Sequence, residues 1–185
     1  MVGALVKSEL ILWRGAKHSS KTTVAGELAD HAQREGFRVA GLLAPAIYTD
    51  AHLAGFEALD LRTAARALLA KRTTNKGPKR AFSFVEAGLK LGADALNGEA
   101  TRDADLIIVD EFGPFELAGD GWRKQVDSLL VDTSAVILLV VREELAGQVR
   151  RLYADVAGEE LEANQPESVA KVIAKLRDRR NAENT

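Results

Sequence analysis

The apolar run Leu10-Ile11-Leu12-Trp13 ends at Arg14-Gly15 and gives way to small and polar residues up to Thr23. Val24, Ala25, Leu28, Ala29 and Ala32 then recur at helical spacing as far as Gly36. This order of strand, loop and helix constrains the fold most. A short apolar run without polar alternation is a strand buried on both faces, and such strands belong to parallel sheets flanked by helices. The loop matters as much as its flanks. Gly15-Ala16-Lys17-His18-Ser19-Ser20-Lys21-Thr22 fits the pattern GxxxxGK[ST] at every defined position except one, where Ser20 replaces the second glycine.

In that pattern, successive backbone N–H groups and a helix amino terminus surround phosphates, the lysine reaches the β- and γ-phosphates, and the hydroxyl ligates Mg²⁺. Lys21 and Thr22 take those two roles here. Gly15, Ala16, Lys17, His18, Ser19, Ser20 and Thr23 complete the candidate phosphate-binding stretch. Glycine is favoured at position 20 where the backbone must curve closely around an anion, because a Cβ is costly if the dihedrals are unusual. The serine hydroxyl either donates to phosphate or narrows the pocket, so the change bears on catalysis more than on fold.

The rest of the chain repeats the alternation. Arg38 to Leu43 reads as a second strand and Gly55 to Leu61 as another, with a turn at Tyr48-Thr49-Asp50-Ala51 between them, so that the two form a hairpin. Lys71 to Arg80 holds five basic residues and a Gly-Pro breaker and reads as an exposed loop. Val85 to Asn97 is predicted helical, Leu106 to Val109 and Ala135 to Val141 are apolar strands, and Glu160 to Ala163 is a short strand before a helix that starts near Pro166. The expectation is one α/β domain over residues 1–185, with a mostly parallel sheet, helices on both faces and an antiparallel hairpin insertion.

Ligands of such sheets bind outside the carboxyl ends of the strands, and a second acidic group is expected there. Asp110 follows Leu106 to Val109 directly, as does an Asp that holds the water shell of a phosphate-bound metal. Glu111 is one residue further on, where the two-residue period of a strand turns it to the other side, free to orient water as a base.

Bulk properties narrow the function. With 25 basic against 27 acidic residues the formal charge is -2, which provides no global field for nucleic acid or anionic membrane. No cysteine is present, so disulfides, thiolate metal sites and cysteine nucleophiles are excluded. Lys7, Glu9 and Arg14 interrupt the apolar residues near the amino terminus, which leaves neither a signal-peptide core nor a membrane span and makes the cytoplasm the expected location.

Taken together, these residues resemble the small cytoplasmic P-loop nucleoside-triphosphatases, which share features with RecA-like ATPases and nucleotide kinases. Arg38 to Pro45 followed by Gly55 to Leu61 is similar to that family's hairpin, and Asp110-Glu111-Phe112-Gly113-Pro114-Phe115-Glu116-Leu117 to its signature of an acid pair followed by Gly-Pro-x-Glu-Leu. The resemblance implies a P-loop fold and Mg²⁺-dependent hydrolysis of ATP or other nucleoside triphosphates with little base preference. Lys21, Thr22, Asp110 and Glu111 are the matching positions. It further implies that Arg142 approaches the phosphates and that Asn164 lies near the base. Glu116 falls on the signature as packing or support. Two other readings accompany it: a phosphotransferase, with Lys71 to Arg80 as a lid, and a nucleotide-binding regulator, motivated by Ser20. A protein partner leaves no mark in the sequence.

Overall fold

The computed structural model describes residues 8–17, 19–73 and 82–183. Its strands are β1 (Glu9–Gly15), β2 (Val39–Leu43), β3 (Ala46–Thr49), β4 (His52–Asp60), β5 (Arg66–Arg72), β6 (Phe82–Phe84), β7 (Leu106–Phe112), β8 (Val136–Arg142) and β9 (Ala157–Glu162). The helices are α1 (Lys21–Arg34), α2 (Glu86–Ala95), α3 (Gly98–Thr101), α4 (Pro114–Leu117), α5 (Arg123–Asp132), α6 (Glu143–Leu152) and α7 (Pro166–Glu183). Among the described residues the strands form one sheet in the order β6-β5-β4-β2-β7-β8-β1-β9, with β3 added beside β4.

The five strands β2, β7, β8, β1 and β9 run parallel, and β3 to β6 extend the sheet antiparallel. Period-two alternation builds the two cores. Leu10 and Leu12 of β1 pack on one face with Ile107, Val109, Ile137 and Leu139, beside Trp122, Val126 and Val149 from α5 and α6 or their margins. Ile11 and Trp13 turn to the other face with Ile108, Leu138 and Val140, where Ala25, Leu28 and Ala29 of α1 and Val172, Ile173 and Leu176 of α7 cover them. Each fully buried aliphatic side chain contributes about 1.5–3 kcal/mol, so these central strands dominate the stability.

α1 ends where the sequence marks its stop. Phe37 N–H donates to the Ala32 carbonyl and Gly36 N–H to that of Gln33, at 3.0 and 2.9 Å. With φ at +80° for Gly36, this is a Schellman turn. Gly41 serves a different need. Its φ is +109°, and a Cβ there would fall 2.1 Å from the Ile108 carbonyl oxygen, so only glycine lets β2 lie this close to β7.

The antiparallel region departs from the expected hairpin. β2 and β4 share only the pairs Leu42–Asp60 and Leu43–Leu59, while the tight hairpin is β3–β4, turned through Asp50 and Ala51 with φ of 49° and 62°. Tyr48 and Thr49 are strand rather than turn. Lys71 and Arg72, read as the start of a loop, close β5, and 74–80 lie outside the described residues. Asn97 stops one helix and caps the next, its side chain accepting from Ala100 N–H at 2.8 Å. Among the described residues no helix is long and apolar enough to cross a membrane.

Candidate active site

Parallel strands deliver their carboxyl ends to one edge, and the predicted residues gather there. β1 pairs with β8 so that Gly15 lies beside Arg142. Arg14 at the end of β1 bonds Glu143 at the start of α6 at 2.5 Å and lies 3.7 Å from Glu160 of β9, which anchors the entry to the loop. Ser20 stands at the N-cap position of α1, whose first turn holds no acidic side chain, so the helix dipole there favours an anion.

Lys21 is 93% shielded from solvent, with 7% exposure, and its ammonium donates to the Ala16 carbonyl at 2.7 Å and to Ser19 Oγ at 3.5 Å. Its stem lies across the loop, within 3.1 Å of where a Gly15 Cβ would stand. Burial pulls the ammonium below its ordinary pKa, and the charges of Glu111 and then Asp110 oppose that pull. Ala16, Lys17, Ser20 and Thr23 are exposed, Thr22 is half-buried, and His18 lies outside the described residues.

Ser20 does not need to be glycine on backbone grounds. Its φ is -69° and ψ 31°, outside the left-handed region, and its hydroxyl makes no capping bond to α1. The condition under which a Cβ would be costly at this position is therefore absent. Ser20→Gly should lower apo stability by about 0.5–1 kcal/mol through the unfolded chain. It should change hydrolysis by less than about threefold. Melting curves and steady-state rates of the two proteins check both, and a tenfold rate gain would show that the side chain crowds the phosphates.

Asp110 is fully buried. One carboxylate oxygen accepts the Ala44 N–H at 3.0 Å and the other the Glu111 N–H at 2.9 Å, and the nearby Thr22 hydroxyl also favours the charged form. Burial, then the charge of Glu111, pushes its pKa up to about 6 against these three donors. The Ala44 contact brings β2 into the site, which side-chain motifs do not reveal.

Glu111 corrects the expected geometry. β7 does not end at the acid pair but runs on to Phe112, and its register with β8 breaks between Val109 and Phe112. Glu111 sits in this bulge with φ of +61°, a left-handed conformation that costs a side-chain-bearing residue roughly 1–2 kcal/mol. The bulge, not simple alternation, separates the two carboxylates. Arg142 reaches Glu111 at 3.5 Å, both side chains about a third exposed at 34% and 38%.

Glu116 is 5% exposed and accepts the Gly113 N–H at 2.8 Å and the Trp122 N–H at 3.4 Å. Burial pushes its pKa up, and these N–H groups work against the shift. Gly113-Pro114-Phe115-Glu116 has the spacing of one half of a capping box with proline at the first helical position, a signal legible in the sequence. Asn164 lies exposed in the turn between β9 and α7 at the same edge.

No cluster of three or more metal-ligating side chains exists among the described residues. That suits Mg²⁺, which keeps several waters and takes one or two protein oxygens plus substrate phosphates rather than an all-protein cage. Thr22 and Asp110, near neighbours, are a hard oxygen pair of that kind. A separate cavity of about 220 Å³ at the opposite edge of the sheet is lined by Arg38, Asp105, Ser134 and Arg179 among others and contains none of these groups.

Comparison with known proteins gives the family and the fold. In fold, the chain is similar to the solution structure of a human cancer-related nucleoside triphosphatase, with a TM-score of 0.68, 16% identity, and 92% of this chain and 98% of that one covered. It is likewise similar to the crystal structure of THEP1 from Aquifex aeolicus, with a TM-score of 0.65, 18% identity, and 90% and 96% covered. In sequence it is 34% identical over 143 residues to nucleoside-triphosphatase THEP1 of Methanothermobacter thermautotrophicus, covering 76% of this chain and 81% of that one. For the Pyrococcus abyssi protein of the same name the figures are 32% over 135 residues, 71% and 73%. A family profile described as NTPase matches residues 11–179, and the chain belongs to this family of THEP1-like P-loop nucleoside-triphosphatases.

Proposed function

We propose that the chain, acting as one nucleotide-binding domain, hydrolyses nucleoside triphosphates with Mg²⁺ and little preference for the base, water being the acceptor. The observation that carries this reading is the convergence at one sheet edge of a buried lysine ammonium, a buried aspartate near Thr22, and a glutamate paired with Arg142.

Lys21 exchanges its Ala16 carbonyl for β- and γ-phosphate oxygens, while the loop N–H groups and the start of α1 hold the remaining charge. Thr22 and, through water, Asp110 would hold Mg²⁺, which when bound neutralises charge on the same phosphates. Glu111 orients the attacking water and accepts its proton. Arg142 leaves Glu111 for the oxygens of the transferred phosphoryl group, so that one motion frees the base and brings a cation to developing charge. Positioning and electrostatics supply nearly all of the catalysis in such a transfer.

Release of inorganic phosphate from ATP, GTP, CTP and UTP in turn, with and without Mg²⁺ and with no acceptor added, tests this. The expected rates agree within about tenfold across the four and collapse without the metal. A single competent nucleotide would remove the base tolerance, and metal-independent turnover the role of Thr22 and Asp110.

A further inference from the structure

We infer that Glu116 is a positioning residue for hydrolysis: its carboxylate clamps the Gly113 and Trp122 backbones and so holds Glu111 in the left-handed bulge from which it faces Arg142. The inference rests on the proposed role of Glu111 as base.

Glu111 needs such a clamp because a left-handed glutamate persists only where its neighbours overdetermine it. The chain before it is fixed by Asp110, which accepts N–H groups from Ala44 and from Glu111 itself. After it, Phe112 returns to pairing with Val141 and is buried against Tyr153 at 5.9 Å between ring centroids. Gly113 is then held by Glu116 Oε2, and Oε1 ties the same carboxylate to Trp122 at the amino terminus of α5. Released on this side, Glu111 can relax into extended strand geometry, which sends its side chain to the other face of the sheet.

Two details argue that the clamp needs a carboxylate. Two N–H donors converge on its two oxygens, which a glutamine cannot match because its amide nitrogen would meet one of them. Gly121 has φ of +54°, and a Cβ there would stand 2.1 Å from Glu116 Oε1, so the chain leaves room for this oxygen. Glu116 itself acts only through Glu111. Its charge does reach Glu111, but Glu111 and Asp110 are the carboxylates that act on Lys21 most strongly.

A double-mutant cycle separates this role from ordinary helix capping. Steady-state hydrolysis of Mg²⁺-ATP and nucleotide binding are measured for the wild type, Glu116→Gln, Glu111→Gln and the double variant, each checked for a cooperative melt. Glu116→Gln should lower kcat about tenfold with KM within about twofold, and should cost less than about twofold more once Glu111 is glutamine. Gly121→Ala, which displaces the carboxylate from the other side, should behave the same way and replaces Glu116→Gln in the cycle if that variant does not fold. An unchanged kcat, or the same loss in both backgrounds, would overturn the inference. Full activity of Glu111→Gln alone would instead sink the base assignment beneath it.

Discussion

Lys21→Ala should lower kcat/KM for nucleoside triphosphates about a thousandfold, or roughly 4 kcal/mol of transition-state stabilisation. The ammonium is buried and, among the described residues, bonded within the loop at the Ala16 carbonyl and Ser19 Oγ, so it is placed to serve phosphate oxygens rather than a distant ion pair. Alanine removes the buried loop ammonium assigned to the β- and γ-phosphates. Triphosphate affinity should therefore fall steeply, whereas nucleoside monophosphate, which those oxygens do not belong to, should bind within about threefold of wild type. The fold should tolerate the change. Burial already depresses the lysine pKa, so its removal relieves a desolvation cost while the Ala16 carbonyl loses one donor. Equilibrium titrations with the two ligands decide the matter, and equal losses for both would take the lysine away from the terminal phosphates.

Asp110→Asn should separate activity from stability in opposite directions. Magnesium-dependent turnover should drop about a hundredfold or more while metal-free nucleotide binding stays nearly intact, because the carboxylate is proposed to act through the water shell of the ion. Stability should rise. With no divalent cation present, the folded Asp110 pKa stands at about 6 against an ordinary 3.8, so the folded chain keeps a proton that the unfolded chain releases between those values. Wild-type stability relative to the asparagine variant then falls as pH rises through that window and is lowest above it. The full shift corresponds to about 3 kcal/mol at neutral pH. The asparagine amide gives back part by facing one of the two N–H groups, leaving a net gain of roughly 1–2 kcal/mol. Denaturant unfolding at pH 7.5 and pH 4 with a chelator present should give a difference at the first pH and little or none at the second. A variant less stable than wild type at both would mean that the hydrogen bonds outweigh the buried charge.

Sequence reasoning located the loop between β1 and α1, the parallel core strands β1 and β7 and the acid pair, because each is announced by local pattern. Leu10 to Trp13 and Leu106 to Val109 are apolar without a break, and Gly36 lies where the α1 stripe of Ala25, Leu28, Ala29 and Ala32 ends. What stayed hidden depends on neighbours distant in the chain. β5 and β6 carry exposed Arg66, Leu68 and Phe84 and a basic end, so their alternation is weak, and β3 is exposed along most of its length because it pairs on one side only with β4. The amphipathic stripes of α5 and α6 went unread between the stronger apolar strands. The bulge at Glu111 has no sequence marker, since glutamate is a poor candidate for a positive φ, and the Ala44 N–H that supports Asp110 comes from the backbone. Residue identities carry the chemistry proposed for the site. Its geometry comes from backbone contacts between β2, β7 and α5.

Hydrolysis, as opposed to transfer of the phosphoryl group to another acceptor, is the claim on which the rest depends. It is tested most directly by a single turnover of Mg²⁺-ATP in water enriched in heavy oxygen, with the released phosphate read by mass spectrometry. One solvent oxygen in each phosphate released, with no acceptor added, is the result predicted for water attacking the γ-phosphorus beside Glu111. Absence of turnover until a hydroxyl-bearing acceptor is supplied, with the phosphoryl group then found on that acceptor and no solvent oxygen in it, would contradict the account.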